Sequence, residues 1–387
     1  MPLFVTIVLD GVGIGEQPDA GLYQDEGSHT LRHVCAVAQP KLPNLERFGL
    51  GSIESLPGIQ AVNEPVASFG KMLEVSAGKD STTGHWELGG IKLASPFPTF
   101  PAGFPADMLE SFLSKTGYSG VLGNCAASGT VIIDQFGEEH QKKGSPIVYT
   151  SADSVFQVAA HKEIIALEEL YRICTIAREE VCIGPYNVGR VIARPFVGAP
   201  GAFQRISAER KDYALMPPAK PVQSALQEAG VRTVSVGKIA DLFGSVGFDE
   251  NHKTKTNAEG IAKARDCIER VSPNEDVFIW VNLVDFDQEF GHRNNPEGFA
   301  GALEEFDRHL PELTSCLPEG AVLVVTADHG NDPTTPGTDH SREYVPVLKY
   351  SKGKKGRPLG VRRTFADHAA TVAAFFEVDF VCDGESF

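Results

Sequence analysis

Two cysteine patterns are missing from this sequence. Its seven cysteines are scattered, odd in number and form no Cys-x-x-Cys pair, which argues against both a disulfide framework and a thiolate zinc site. No apolar run approaches the roughly 20 residues that a membrane-spanning helix needs. The opening residues, MPLFVTIVLDGVG, are apolar for only about seven positions and carry no basic leader, which predicts a strand rather than a signal peptide. We therefore expect a cytoplasmic protein.

Positive charge is also scarce. The chain has 35 basic and 51 acidic residues, for a net charge of −16, and the acidic residues are dispersed rather than gathered in a tail. This balance argues against nucleic acid or an anionic membrane as the partner, although a local basic pocket for a phosphate remains compatible with it.

Apolar residues, by contrast, are plentiful, and their spacing predicts strands that alternate with helices along the chain. The chain has 387 residues, 42% of them hydrophobic. A chain of this length is longer than one hydrophobic core usually accommodates, so we predict two domains. The pattern predicts strands at Leu3–Leu9, Thr233–Val236, Val277–Leu283 and Val322–Thr326, and helices at Val222–Ala229, Ala258–Val271 and Phe299–Cys316. Such alternation is typical of the α/β class, with a doubly wound, mostly parallel sheet.

Two Pro-rich stretches interrupt this pattern, one at residues 91–105 and the other at 217–221. They predict the crossings into and out of an inserted domain. Between them, strands at Ile147–Thr150 and Val188–Arg194 and an amphipathic helix at Leu167–Glu179 indicate an α+β insert. We expect a core formed by residues 1–98 and 218–387, with residues 99–217 as the second domain.

Carboxylates and imidazoles follow three of the predicted core strands. In open α/β sheets the carboxyl ends of the strands are where ligands bind, and these side chains are metal ligands by type. Taken singly, such an Asp also serves as a turn residue or helix N-cap, and such a His as a solvated side chain. The candidate ligands are Asp10, Asp287, His292, Asp328, His329 and His340.

A hydroxyl-rich segment, GKDSTTGHWE at residues 78–87, offers a nucleophile. Ser81 directly follows Asp80, and a hydroxyl at a helix N-terminus lies beside backbone N–H groups that favour a bound phosphoryl group. A plain N-cap box explains the same residues. Thr82 and Thr83 are competing hydroxyls.

The candidate ligands divide into two sets. Asp10, Asp328 and His329 form an oxygen-rich site with the Ser81 hydroxyl, whereas Asp287, His292 and His340 form a site richer in imidazole. Two divalent ions about 4 Å apart can activate an attacking oxygen and hold a phosphoryl group, which is the chemistry of phosphoryl transfer. Mixed oxygen and nitrogen ligands suit Mn²⁺ or Zn²⁺, with Mg²⁺ compatible only with the oxygen-rich site.

Seven blocks together carry a family resemblance. They are LDGVGIGEQPDA (9–20), GKDS (78–81), GHWE (84–87), YTSADS (149–154), GRVIARPF (189–196), DFDQEFGH (285–292) and TADHGNDPTTPGTDH (326–340). With them, the whole chain resembles the phosphopentomutase family of the alkaline phosphatase superfamily. One departure is Ser81, where that family usually has Thr, although the wider superfamily often uses Ser.

The resemblance implies a cytoplasmic enzyme that interconverts α-D-ribose 1-phosphate, or its 2-deoxy form, and the 5-phosphate. It implies two Mn²⁺ ions, a phosphoenzyme, a sugar bisphosphate intermediate and an insert that acts as a cap closing on the sugar. It also implies that five further residues bind the substrate, although the charged ones among them could equally be ordinary surface side chains. That set is Ser151, Asp153, Arg190, Arg205 and Lys238.

Two rival functions fit the metal ligands. Another enzyme of the superfamily, such as a cofactor-independent phosphoglycerate mutase or a phosphatase, would use the same ligands, so the insert has to discriminate. A non-catalytic, metal-stabilised binding protein would leave the Ser81 segment without a role.

Overall fold

A computed structural model describes residues 2–151 and 153–387. The chain divides into two compact units, one formed by Met1–Ser95 with Pro217–Phe387 and the other by Pro96–Met216. We call them the first and the second unit.

Strands and helices alternate along much of the chain. The strands are β1 (Leu3–Leu9), β2 (Ala67–Met72), β3 (Leu122–Ala126), β4 (Ile147–Thr150), β5 (Val155–His161), β6 (Arg190–Val197), β7 (Gln204–Arg205), β8 (Lys211–Ala214), β9 (Arg232–Val236), β10 (Glu250–His252), β11 (Val277–Leu283), β12 (Val322–Thr326), β13 (Val345–Ser351) and β14 (Pro358–Arg362). The α-helices are α1 (Thr30–Ala38), α2 (Pro43–Phe48), α3 (Leu50–Ile53), α4 (Ser81–Leu88), α5 (Ala106–Thr116), α6 (Gly129–Lys143), α7 (Leu167–Ile176), α8 (Val222–Glu228), α9 (Ile239–Leu242), α10 (Asn257–Glu269), α11 (Pro296–Cys316) and α12 (Ala366–Phe375). None of these helices has both the length and the apolar character needed to cross a membrane.

The first unit is built on an eight-stranded sheet in the order β10-β9-β11-β1-β12-β13-β2-β14. The five strands from β10 to β12 run parallel, β13 is antiparallel to both its neighbours, and β14 is parallel to β2. Every residue of β1, β11 and β12 is buried, as expected for parallel strands covered on both faces. The predicted α/β class with a mostly parallel sheet is confirmed.

The register of the central strands brings their carboxyl ends to one edge. Leu9 at the end of β1 pairs with Leu283 at the end of β11, and Val8 pairs with Thr326 at the end of β12. The segments that begin at residues 10, 284 and 327 therefore leave the sheet side by side, which is how distant parts of the sequence can build one site.

Some predicted boundaries shift for local reasons. The helix expected from Phe299 begins at Pro296, because Asn295 caps it through the backbone N–H of Gly298 and proline fits a first helical turn. The helix expected to reach Glu179 leaves the α conformation at Ile176 and continues as a π-helical segment, Ala177–Val181.

The second unit has its own mixed sheet, in the order β3-β4-β5-β6-β7 with β8 also paired to β6. Strand β5 is antiparallel to β4 and parallel to β6. The expected strand from Val188 begins at Arg190. Two apolar clusters form the interior, one including residues of α5 and α7 and the other residues of α6.

A buried histidine of the first unit makes stability depend on pH. His368 is fully buried between Thr6 and the carbonyl of Leu88, and burial lowers its pKa from 6.5 to about 4. Between these values the unfolded chain binds a proton that the folded chain does not. We therefore expect the free energy of unfolding to fall as pH drops from 6.5 through 4, by up to about 1.4 kcal/mol per pH unit from this group.

Urea unfolding at a series of pH values, in the protein and in His368→Gln, measures this contribution. The substituted chain should show a shallower pH dependence over that range. Equal slopes in the two proteins would contradict the assignment.

Candidate active site

Two groups of potential metal ligands lie at the carboxyl edge of the first unit's sheet. The first comprises Asp10, Asp328 and His329, and the second comprises Asp287, His329 and His340. Within each group, one ligand atom per residue lies within 4.8 Å of the others. His329 belongs to both groups, so the two candidate sites adjoin.

The first group is entirely buried and lies at the ends of β1 and β12. The Nε2 atom of His329 is 3.4 Å from Oδ1 of Asp10 and 3.3 Å from Oδ2 of Asp328. Its Nδ1 atom lies 3.1 Å from the carbonyl oxygen of Gly330, which leaves Nε2 facing the carboxylates. The backbone N–H of Gly11 donates to Oδ1 of Asp328 at 3.2 Å.

The second group centres on Asp287, in the π-helical turn Phe286–Phe290 after β11. Its Oδ1 atom is 3.2 Å from Nε2 of His340, and the rings of His340 and His329 lie 3.9 Å apart. The grouping differs from the expected set of Asp287, His292 and His340. His292 contacts only the other oxygen, Oδ2, at 3.3 Å and is 38% exposed, so it lies on the solvent side of Asp287.

Ser81 is the first residue of α4. Asp80 caps this helix by accepting from the backbone N–H groups of Thr82 and Thr83, which confirms the N-cap interpretation, whereas the nucleophile interpretation stays a prediction. The Ser81 Oγ atom is 3.1 Å from Nε2 of His329. Thr83, a competing hydroxyl, donates its Oγ1 to Asp80 at 2.6 Å instead.

Lys238 lies beside Ser81. Its Nζ atom is 2.5 Å from Oδ2 of Asp10 and donates to Ser81 Oγ at 2.9 Å. The sequence placed Lys238 with the residues of the insert as a substrate-binding group, whereas the structure puts it among the metal-ligand candidates. The reason is its position two residues after β9, at the same sheet edge as the other strand-end residues.

The cluster is strongly polarised. Burial alone would raise the pKa of Asp328, but the neighbouring His329 and His85 together outweigh it and hold this pKa well below its ordinary value. Burial likewise opposes the charge of His329, yet Asp328 and Asp10 raise its pKa well above 6.5. Asp10, Asp287 and Asp328 together raise the pKa of Lys238 against the effect of its burial. The carboxylates are thus balanced by an imidazolium and an ammonium.

These residues fit a bound divalent cation. Three buried atoms of the two groups face other ionisable side chains but make no well-aligned hydrogen bond with a described residue: Asp10 Oδ1, Asp328 Oδ2 and His340 Nε2. Buried polar atoms are normally satisfied, and carboxylate oxygens with imidazole nitrogens are a donor set that Mn²⁺ and Zn²⁺ accept. A cation here would neutralise the carboxylates in place of the proton on the His329 imidazolium.

Sequence reasoning missed a buried arginine that joins the loops of the site. The Arg342 guanidinium donates to the carbonyl oxygens of Glu74, Ser76 and Gly78 and to the carboxylate of Asp19. It thereby ties the loop that leads to Ser81 to the segment that follows His340. An isolated Arg in a loop gives no periodic signal from which this role could be predicted.

The remaining substrate-binding candidates belong to the second unit. Ser151 follows β4, Asp153 precedes β5 and Arg190 opens β6, where it pairs with Val155, so these three lie at one end of that sheet. Arg205 lies on β7 and pairs with Phe196, near the other end of β6. The structure therefore groups three of these residues and sets the backbone of Arg205 apart.

The chain matches the family model of the Metalloenzyme superfamily over residues 3–380. Among solved structures, a Pyrococcus horikoshii protein covers 98% of both chains with a TM-score of 0.50 and 15% identity, a likeness of fold alone.

Curated relatives are much more similar. A phosphopentomutase of Caldanaerobacter subterraneus subsp. tengcongensis is 52% identical over 99% of this chain and 96% of its own length. A phosphopentomutase of Thermotoga maritima is also 52% identical, over 99% of this chain and 98% of its own. The chain therefore belongs to the Metalloenzyme superfamily and, within it, to the phosphopentomutase family.

Proposed function

We propose that the chain interconverts α-D-ribose 1-phosphate, or 2-deoxyribose 1-phosphate, and the corresponding 5-phosphate through a phosphoenzyme at Ser81. The observation that carries this proposal is the contact of Ser81 Oγ with both His329 and Lys238 at the junction of two ligand groups. Members of this family are isomerases. We place the activity in the cytoplasm, where the free cysteines would stay reduced.

We assign one Mn²⁺ to Asp10, Asp328 and His329 with Ser81, and the other to Asp287, His292 and His340, with His329 adjoining both. Two such ions supply Lewis-acid activation of a hydroxyl and neutralise charge on phosphoryl oxygens. Among the protein's own groups, Lys238 donates to Ser81 Oγ, which suits an oxygen that gains negative charge when its bond to phosphorus breaks.

The proposed reaction is two successive transfers of two different phosphoryl groups. The phosphoryl group on Ser81 Oγ passes to the free hydroxyl oxygen of the bound sugar phosphate: the Oγ–P bond breaks, the new O–P bond forms, and a sugar bisphosphate results. The phosphoryl group that the sugar carried from the start then passes to Ser81 Oγ: its old O–P bond breaks, a new Oγ–P bond forms, and the isomeric monophosphate is left. A first phosphoryl group on Ser81, supplied by sugar bisphosphate, is needed to start the cycle.

We propose that residues 99–217 act as a cap that binds the pentose phosphate. Ser151 and Asp153 are suited to hydrogen bonds with sugar hydroxyls, and Arg190 and Arg205 to a phosphate. Lys238 remains a candidate for the phosphate that is transferred, because it already contacts the nucleophile. Exclusion of water would favour transfer to the sugar over hydrolysis.

An assay that follows two products tests this function. With Mn²⁺ and a trace of sugar bisphosphate, ribose 1-phosphate should yield ribose 5-phosphate in large excess over free phosphate. Arg190→Gln should raise KM more than it lowers kcat, since it removes binding rather than chemistry. Free phosphate as the main product would indicate a phosphatase instead. Turnover of phosphoglycerate but not of pentose phosphate would indicate the other mutase, which the curated relatives do not favour.

A further inference from the structure

We propose that His85, supported by Asn282, is a positioning residue that fixes Asp328 and the backbone of Ser81 in one arrangement. Neither residue has a role in the reaction as described above. The proposal rests on the proposed metal site, because Asp328 is assigned there as a ligand.

The nucleophile helix packs directly on the loop that carries Asp328. A Cβ atom at Gly84 would lie 1.9 Å from the carbonyl oxygen of Asp328, so only glycine permits this approach. The next residue, His85, is fully buried and lies one helical turn after Ser81. Its ring is 6.2 Å from that of Trp280, beneath the site.

The neighbours of His85 determine which nitrogen carries its proton. Its Nδ1 atom is 2.8 Å from the carbonyl oxygen of Ser81 and 3.0 Å from Oδ2 of Asp328, and both of these atoms are acceptors. Its Nε2 atom is 3.3 Å from Nδ2 of Asn282, which is a donor. His85 therefore donates from Nδ1 and accepts at Nε2.

Asn282 extends this series of contacts from His85 to the buried carboxylate of Asp10. Its Nδ2 donates to Oδ2 of Asp10 at 2.9 Å, which fixes the orientation of the amide. One side-chain NH₂ group thus serves both Asp10 and His85. Asp10, Asn282, His85 and Asp328 form a continuous series that sets the positions of two proposed ligands and, through its carbonyl, of Ser81.

Outer partners of metal ligands typically contribute about 10–100-fold to metal affinity, because they hold a ligand in the binding orientation. Loss of the Nδ1 donor should therefore weaken the ion assigned to Asp10, Asp328 and His329, and leave the ion at Asp287 and His340 nearly unchanged. It should also lower kcat, since Ser81 loses its fixed position.

Asparagine and glutamine separate the two ring nitrogens. An Asn side chain places an NH₂ group near the position of Nδ1, whereas the amide of Gln lies near the position of Nε2 and leaves Ser81 O and Asp328 Oδ2 without a donor. We therefore expect His85→Asn to keep most of the affinity, and His85→Gln and His85→Leu to lose about 10–100-fold at one ion. Asn282→Leu should weaken the same ion.

The measurement is titration of chelator-treated apoprotein with Mn²⁺ by calorimetry, which resolves two binding events in the full chain. The matched control is His368→Leu, which removes another fully buried histidine near Trp280 that contacts none of the proposed ligands. It should lower the melting temperature but retain both affinities. This separates positioning from general stability.

The outcomes are distinct. Selective loss of one ion in His85→Gln, with retention in His85→Asn, supports the proposal. The proposal is overturned if all four His85 and Asn282 variants bind both ions as tightly as the unsubstituted protein does. It is also overturned if His85→Asn and His85→Gln bind both ions equally more weakly. If the unsubstituted protein bound no Mn²⁺, the proposed metal site itself would be wrong. Titration of the unsubstituted protein alone distinguishes this outcome from failure of the positioning role.

Discussion

Replacing Ser81 with Ala is expected to abolish phosphoenzyme formation and to lower mutase turnover by about 10⁴-fold or more. Ser81 Oγ lies between His329 Nε2 and Lys238 Nζ. In the proposed site His329 is a metal ligand and Lys238 is paired with Asp10, so neither is available to accept the phosphoryl group in place of Ser81. Ser81→Thr restores the residue usual in the family and should retain much of the activity.

The neighbouring hydroxyl provides a matched control. Thr82 follows Ser81 in the first turn of α4, and Thr82→Val should keep most of the turnover. Mass spectrometry after exposure to a sugar bisphosphate would locate the phosphoryl group. A phosphate on Thr82 or Thr83, with Ser81 unmodified, would refute the assignment.

Loss of metal should have the second largest effect. We expect two Mn²⁺ ions per chain, and excess chelator should remove both ions and all mutase activity. Asp328→Asn keeps the size of a fully buried side chain but removes the charge that faces His329. Metal affinity and turnover should fall together, by at least the roughly 10–100-fold typical of outer partners of a metal site.

Asp332→Asn makes the same chemical change in the same loop and serves as the control. Asp332 is also buried, but it contacts His33 and the backbone N–H of His29 and belongs to neither ligand group. It should retain both ions. Metal analysis after dialysis, together with the mutase rate, decides the matter, and full activity in excess chelator would disprove the two-metal site.

The centre of the fold was predictable because its strands are buried on both faces. Continuous apolar runs reveal β1, β11 and β12, and the polar residue that ends each run marks the edge of the sheet. That rule leads directly to Asp10 and Asp328. The antiparallel part of the sheet, β13 with β2, is not foreseen by the alternation of strands and helices, because it arises from pairing between distant segments.

Details of the site depend on packing that one-dimensional patterns do not encode. Asn282 is the sixth residue of the buried strand β11, so the sequence suggests a core position rather than a partner of Asp10. His329 is shared by two ligand groups, a relation that spacing along the chain does not express. Arg342 and His85 likewise acquire their partners only in three dimensions.

The position of β1 has a consequence for how the protein is made. It precedes the other described strands in the sequence, yet its two neighbours in the sheet, β11 and β12, begin only at Val277 and Val322. Seven residues that end up buried must wait unpaired while most of the chain, including the entire second unit, is translated. Such late, long-range pairing is slow and leaves apolar surface exposed in the nascent chain. Because Asp328, His329 and His340 also follow most of the described residues, the proposed site cannot assemble until both units have been translated.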